Sequence, residues 1–134
     1  MKKFYAAVLT LALLLPLIAA AVASGEVIPY ASDVIDTAKT DVSVSAGGKI
    51  TATATITAKM SVSSIGFPTF CIQEKQDGKW VTVVNGAGMA SDASSRKKTI
   101  TYTKVTGRSY QVKTTYKAVC DGVTYTAPAY SKSV

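Results

Sequence analysis

The sequence predicts an all-β protein, a small sandwich or barrel of about seven strands behind an N-terminal signal helix. Three observations carry this. Residues 110–118 alternate strictly, with Tyr110, Val112, Thr114, Tyr116 and Ala118 on one side and Gln111, Lys113, Thr115 and Lys117 on the other. That period of two belongs to a strand with one buried and one wet face. Asp77-Gly78 and Asp121-Gly122 are tight hairpin signals, each between strand-like runs. No stretch beyond the first apolar run has the three-and-four spacing of an amphipathic helix.

Met1-Lys2-Lys3 is followed by an apolar run from Phe4 to Ala23, broken by Thr10 and Pro16 and ending in Ala21-Val22-Ala23. A positive start, an apolar middle and a small-residue exit describe a secretory signal peptide over residues 1–23. An uncleaved membrane anchor is the alternative, since the run is close to spanning length; Pro16 and the cleavage pattern argue against it. The expectation is a secreted, extracellular protein with no stable membrane span. The remainder suits one domain. Loss of Lys2 and Lys3 takes the formal net charge from +7 to +5.

Residues 24–40 are irregular, an arm or a first edge strand, and the domain proper is expected over 41–134. Asp41–Ser45 is a short strand and Ala46-Gly47-Gly48-Lys49 a turn. Ile50–Lys59 sets Thr51, Thr53, Thr55 and Thr57 against Ala52, Ala54, Ile56 and Ala58. Ser61–Ser64 reads as a loop or strand end. Ile65–Gln76 is a strand that Gly66 and Pro68 bend early, because proline cannot donate to a ladder. Lys79–Val84 returns beside it. Asn85–Ser95, rich in Gly, Ala and Ser, reads as a long loop. Lys97–Lys104 carries Thr99, Thr101 and Thr103 opposite Ile100 and Tyr102. Thr106-Gly107 turns the chain into Arg108–Val119, and Val123–Val134, with Pro128, closes as an outer strand.

Three segments resemble a fibronectin type III or immunoglobulin-like sandwich. They are Phe70-Cys71-Ile72-Gln73 with Asp77–Val83, Thr106–Val112 with its turn and Tyr110, and Cys120-Asp121-Gly122. The signal, the Thr-rich strand Ile50–Thr57, the hairpin through Ile72-Gln73-Glu74-Lys75 and Gly78-Lys79-Trp80-Val81, and Tyr110-Gln111-Val112-Lys113 also resemble a family of small secreted proteins of Gram-positive bacteria with no assigned function. That resemblance implies no activity, cofactor or site residue.

The catalytic alphabet is thin. There is no histidine, so imidazole triads and metal sites are out. The carboxylates are Glu26, Asp33, Asp36, Asp41, Glu74, Asp77, Asp92 and Asp121. Asp77 and Asp121 serve turns, and Glu74 reads as paired and wet on its strand. Asp33, Asp36 and Asp41 lack the glycine and terminal glutamate of a calcium loop. The expectation is a non-catalytic protein without cofactor or metal.

Cys71 and Cys120 remain open. Export favours a disulfide, worth about 4 kcal/mol for a loop of about 50 residues. Antiparallel pairing of Ile65–Gln76 with Arg108–Val119 instead sets Cys71 near Thr115, on the outer face, and away from Cys120.

The expected contact surface is Trp80 with a hydroxyl face of Thr51, Thr53, Thr55, Thr99 and Thr101, formed if the second and fifth strands are neighbours. Such a face could bind carbohydrate or even ice, but plain sheet stabilisation by Thr–Thr pairs is the favoured reading. Tyr125 and Tyr130 are further contact candidates. The positive balance favours an anionic wall polymer, a glycan or an extracellular protein, and equally serves solubility; nucleic acid is not expected. The functional expectation is a surface-associated binding module. The alternative is a secreted effector, bacteriocin-like or inhibitory, acting on another protein.

Overall fold

The computed structural model describes residues 33–134, so the signal segment and the first part of the arm lie outside the described residues. Six strands form one antiparallel sheet: β1 (Ile35–Val44), β2 (Lys49–Gln76), β3 (Lys79–Asn85), β4 (Gly88–Thr103), β5 (Tyr110–Cys120) and β6 (Val123–Ser133). Strict alternation in the first part of β2 and in β5 gives each one buried and one wet face.

β2 organises the rest. Its 28 residues replace two expected strands and the loop at Ser61–Ser64. Residues 49–57 lie between β1 and residues 95–103 of β4. Residues 64–74 lie beside β5, with β3 and the start of β4 on their other side. Between the two stretches the register slips at 57/62 against β4 and at 66/69 against β5. An extra residue in one strand bends it and raises its twist, so the sheet curls over on itself. The slips also swap parity: Ile50, Ala52, Ala54 and Ile56 point inward, then Ile65 and Phe67, then Phe70 and Ile72. Pro68 sits in the second slip and is exposed, where a missing N–H costs nothing.

Asn85–Ser95 is not a long loop. β3 runs through Asn85 and β4 begins at Gly88. Small residues here permit close approach: a Cβ on Gly66 would stand 2.2 Å from the Gly88 carbonyl oxygen and 2.9 Å from the Met89 Cα. The run that lacks a hydrophobic period is therefore a strand pressed against β2. β1 also begins six residues before the expected Asp41, and the slip between Ile35 and Thr37 hides its period.

The curled halves meet across one core, which joins Ile50, Ile56 and Ile100 of one to Phe70, Ile72, Val112 and Tyr116 of the other. The Tyr102 and Tyr110 ring centroids are 5.9 Å apart across it. Thr40 of β1 donates to Thr114 Oγ1 at 2.9 Å and lies 2.5 Å from the Tyr116 hydroxyl, so the buried hydroxyls of facing strands satisfy one another.

Candidate functional site

The curl gives the molecule two outer faces of different chemistry. On the first, the pairing sets Thr51 opposite Ser43 and Thr101, Thr53 opposite Asp41 and Thr99, and Thr55 opposite Lys39 and Lys97. Thr53 and Thr99 share a hydroxyl hydrogen bond of 2.9 Å. Lys97 and Ser95 stand opposite Thr55 and Thr57, and Thr103 stands opposite Lys49. The threonines therefore form three direct pairs, Thr51–Thr101, Thr53–Thr99 and Thr37–Thr57, flanked by charges of both signs; Lys39 Nζ is 3.7 Å from Asp41 Oδ2.

Trp80 is not on this face. It pairs with Lys75 on the other half of the sheet, is 39% exposed, and has the Lys75 ammonium 5.7 Å from its ring centroid. The outer row beside it runs Thr82, Gln73, Gln111 and Ser133 across four strands. Gln73 donates to Thr82 Oγ1 at 3.3 Å, and Gln111 donates to Gln73 Oε1 at 2.7 Å. The next row holds Cys71, Lys113 and Ser131, and a later one sets Lys117 beside Thr126. Lys75, Lys113 and Lys117 thus share a face with a tryptophan and an amide ladder. The carboxylate on these strands, Glu74, points the other way.

Glu74 is buried, 1% exposed, not wet as its neighbours in sequence suggest. The slip between Gly66 and Thr69 sends it inward with Phe70 and Ile72. Three donors meet it: the Tyr110 hydroxyl, Gln76 Nε2 at 2.5 Å and Arg108 Nη1 at 2.6 Å. The Tyr110 bond first, then Gln76 and Arg108, hold its carboxyl below the usual range against the opposing effect of burial. Burial, followed by the bond to Glu74, pushes the Tyr110 phenol up. The Val105 N–H donates to the same phenol oxygen at 2.7 Å. Both oxygens of the carboxylate therefore accept hydrogen bonds.

Cys71 and Cys120 are free thiols. Cys71 stands opposite Lys113, not Thr115, and the 66/69 slip moves the register there by one residue. Cys120 lies seven residues further along β5, about 23 Å at strand rise, beyond disulfide reach. Cys71 points to the outer side yet is only 6% exposed, at the base of a depression of about 160 Å³ shared with Pro68, Thr82 and Asn85. A larger depression of about 390 Å³ lies between the β1–β2 turn and the β4–β5 loop, lined by Lys104 and Arg108 among others.

Among the described residues no three of His, Cys, Asp and Glu gather as a metal site, Asp33, Asp36 and Asp41 included. Nor does any helix among them have the length and apolarity to cross a membrane. No family model, curated protein or solved structure matches the chain.

Proposed function

We propose that this is an exported, non-catalytic binding module of immunoglobulin-like build that holds an extended anionic polymer of the cell surface against its Trp80–lysine face. The observation that carries the reading is that face: Lys75 against an exposed tryptophan, the amide ladder and Lys113 in the next rows, and Lys117 further along the same side of β5, with no carboxylate on the outward side of β2, β3, β5 or β6 there. Lysines projecting from one side of a sheet give it a positive field that attracts an anionic chain. Glutamine amides and a tryptophan ring suit the hydroxyls and carbon faces of a glycan.

The sandwich reading draws support from two features. Three strands face four, with β2 passing from one side to the other. Tyr110, at the start of β5, accepts a hydrogen bond from the backbone five residues upstream, as the tyrosine corner of such domains bonds back to its own loop. Export rests on the leader-like first 23 residues, and a cell-wall setting on the resemblance to small secreted Gram-positive proteins.

The test is co-sedimentation of the protein with isolated Gram-positive cell walls across a salt series. Binding should weaken steadily as salt rises from about 0.05 to 0.5 M, because exposed charges are screened over that range. The variant K75E/K113E/K117E should lose at least about tenfold in retention at the lower salt. Wild-type protein that fails to sediment with walls at any salt rules the reading out.

A further inference from the structure

The larger depression has features that the lysine face does not use. Two tight turns wall it, and each depends on a glycine in the left-handed region, Gly48 at φ 83° and Gly107 at φ 89°. Both turns are tied down. The Gly48 N–H donates to the Ser45 carbonyl at 2.9 Å, and the Lys104 N–H donates to the Gly48 carbonyl at 2.8 Å, joining one turn to the other loop. The lining holds two cations, Lys104 and Arg108, and no carboxylate. Val44 and Val105, both exposed, give it an apolar rim.

Arg108 is not a loose surface side chain. Its side chain is about half exposed, while that of Glu74, whose carboxylate grips it, is 1% exposed. Glu74 takes one N–H of the Arg108 fork and is itself locked by Tyr110 and Gln76. A guanidinium carries five N–H donors in a rigid plane. One bond to a buried carboxylate therefore orients the fork and leaves donors to spare. Glu74 balances the charge of Arg108, so the net positive charge of the site comes from Lys104. Tyr110 completes the support, because its oxygen also accepts the Val105 N–H in the wall of the depression.

We infer that this depression is a seat for a small anionic group borne on a hydroxylated carbon skeleton, such as a phosphate or carboxylate on a polyol or sugar. Lys104 and Arg108 hold the anion, Glu74 positions Arg108, Ser45 and Thr106 of the lining offer hydroxyls to those of the ligand, and the valine rim meets its carbon skeleton. Recognition here is local and oriented, unlike the spread attraction of the lysine face, and the inference stands without that face. Support for a charged group by a buried partner is what distinguishes a prepared site from a chance cation.

The test is amide NMR of the ¹⁵N-labelled protein titrated with glycerol 1-phosphate and, separately, with inorganic phosphate. Saturable shifts should centre on the Gly48 and Gly107 amides, with glycerol phosphate the tighter of the two probes. The variant K104E should weaken binding by about tenfold or more, the loss expected for a charge-assisted hydrogen bond. R108K keeps the charge but not the fork, and should weaken it less. E74D keeps the charge that balances Arg108 but shortens the reach that orients its fork, and should weaken binding while Lys104 is intact, in a protein whose amide spectrum stays folded. K113E/K117E should leave these shifts in place. Absence of saturable shifts at millimolar probe, shifts elsewhere, shifts unaffected by K104E, or shifts abolished by K113E/K117E would each overturn the inference.

Discussion

The two outer faces of the sheet are built from the same strand, yet they differ in what they can hold. Residues 49–57 of β2 offer Thr51, Thr53, Thr55 and Thr57 between neighbours that carry Lys39, Asp41 and Lys97. Residues 64–76 offer Gln73 and Lys75 between neighbours that carry Trp80, Gln111, Lys113 and Lys117. Hydroxyls bonded to each other, as Thr53 and Thr99 are, have spent part of their capacity on the sheet. Charges of one sign with an aromatic beside them have not. The difference separates a face of mixed charge that stabilises the sheet from the face proposed to bind, whose charges have one sign.

Charge reversal is the sharpest way to break this comparison. K75E/K113E/K117E should abolish wall retention, while K39E/K97E, the same chemistry on the threonine face, should change it by less than about twofold. Equal losses from both variants, read by co-sedimentation at one salt concentration, would mean that net charge alone drives binding and that the faces do not differ.

The second effect is on acid stability, and it too separates the halves. The inward row of residues 49–57 is apolar, whereas that of residues 64–76 ends in Glu74. The folded protein holds this carboxyl below its ordinary value. Its stabilising contribution is thus fully present above the unfolded value of about 4.3 and is lost as pH falls through the lower folded value. Urea midpoints followed from pH 7 to pH 2 should fall on the acid side in the wild type. E74Q should be less stable at pH 7 and show a shallower acid decline. A decline of unchanged steepness in E74Q would assign the acid sensitivity to other carboxylates.

Smaller effects sharpen the contrast. Trp80→Ala should weaken wall binding by about two- to fivefold, the scale of an exposed cation–aromatic contact, with a modest fall in the thermal midpoint because the residue is only 39% exposed. Thr53→Ala should lower unfolding free energy by only a few tenths of a kcal/mol, the scale of one cross-strand hydroxyl pair, and leave binding unchanged. A binding defect in Thr53→Ala with wild-type behaviour in Trp80→Ala would reverse the assignment of the two faces.

Much of the strand content was legible in the chain, since Tyr110–Ala118 and Ile50–Ala58 alternate in the sequence as they do in the sheet. The Asp77-Gly78 and Asp121-Gly122 hairpins were legible for a similar reason. Both residues of each pair sit at positive φ, which those residue types tolerate best. The strand through Gly88–Ser95 was not legible, because glycine and alanine were selected there for close approach and leave no hydrophobic period. Trp80, named from sequence, belongs to one face, and the threonines named with it belong to the other.

What the sequence determined by itself is local: which residues alternate, where the chain turns, and that no imidazole chemistry is present. Such features depend on neighbours one to four residues away and are written in the order of the side chains. The tertiary structure decided the rest. Two slips in β2 set which parity faces the core after residue 57, buried Glu74, moved Cys71 opposite Lys113 and gathered three lysines onto one side. A one-residue slip reverses every side chain beyond it. Where such slips fall depends on the fit of strands many residues apart.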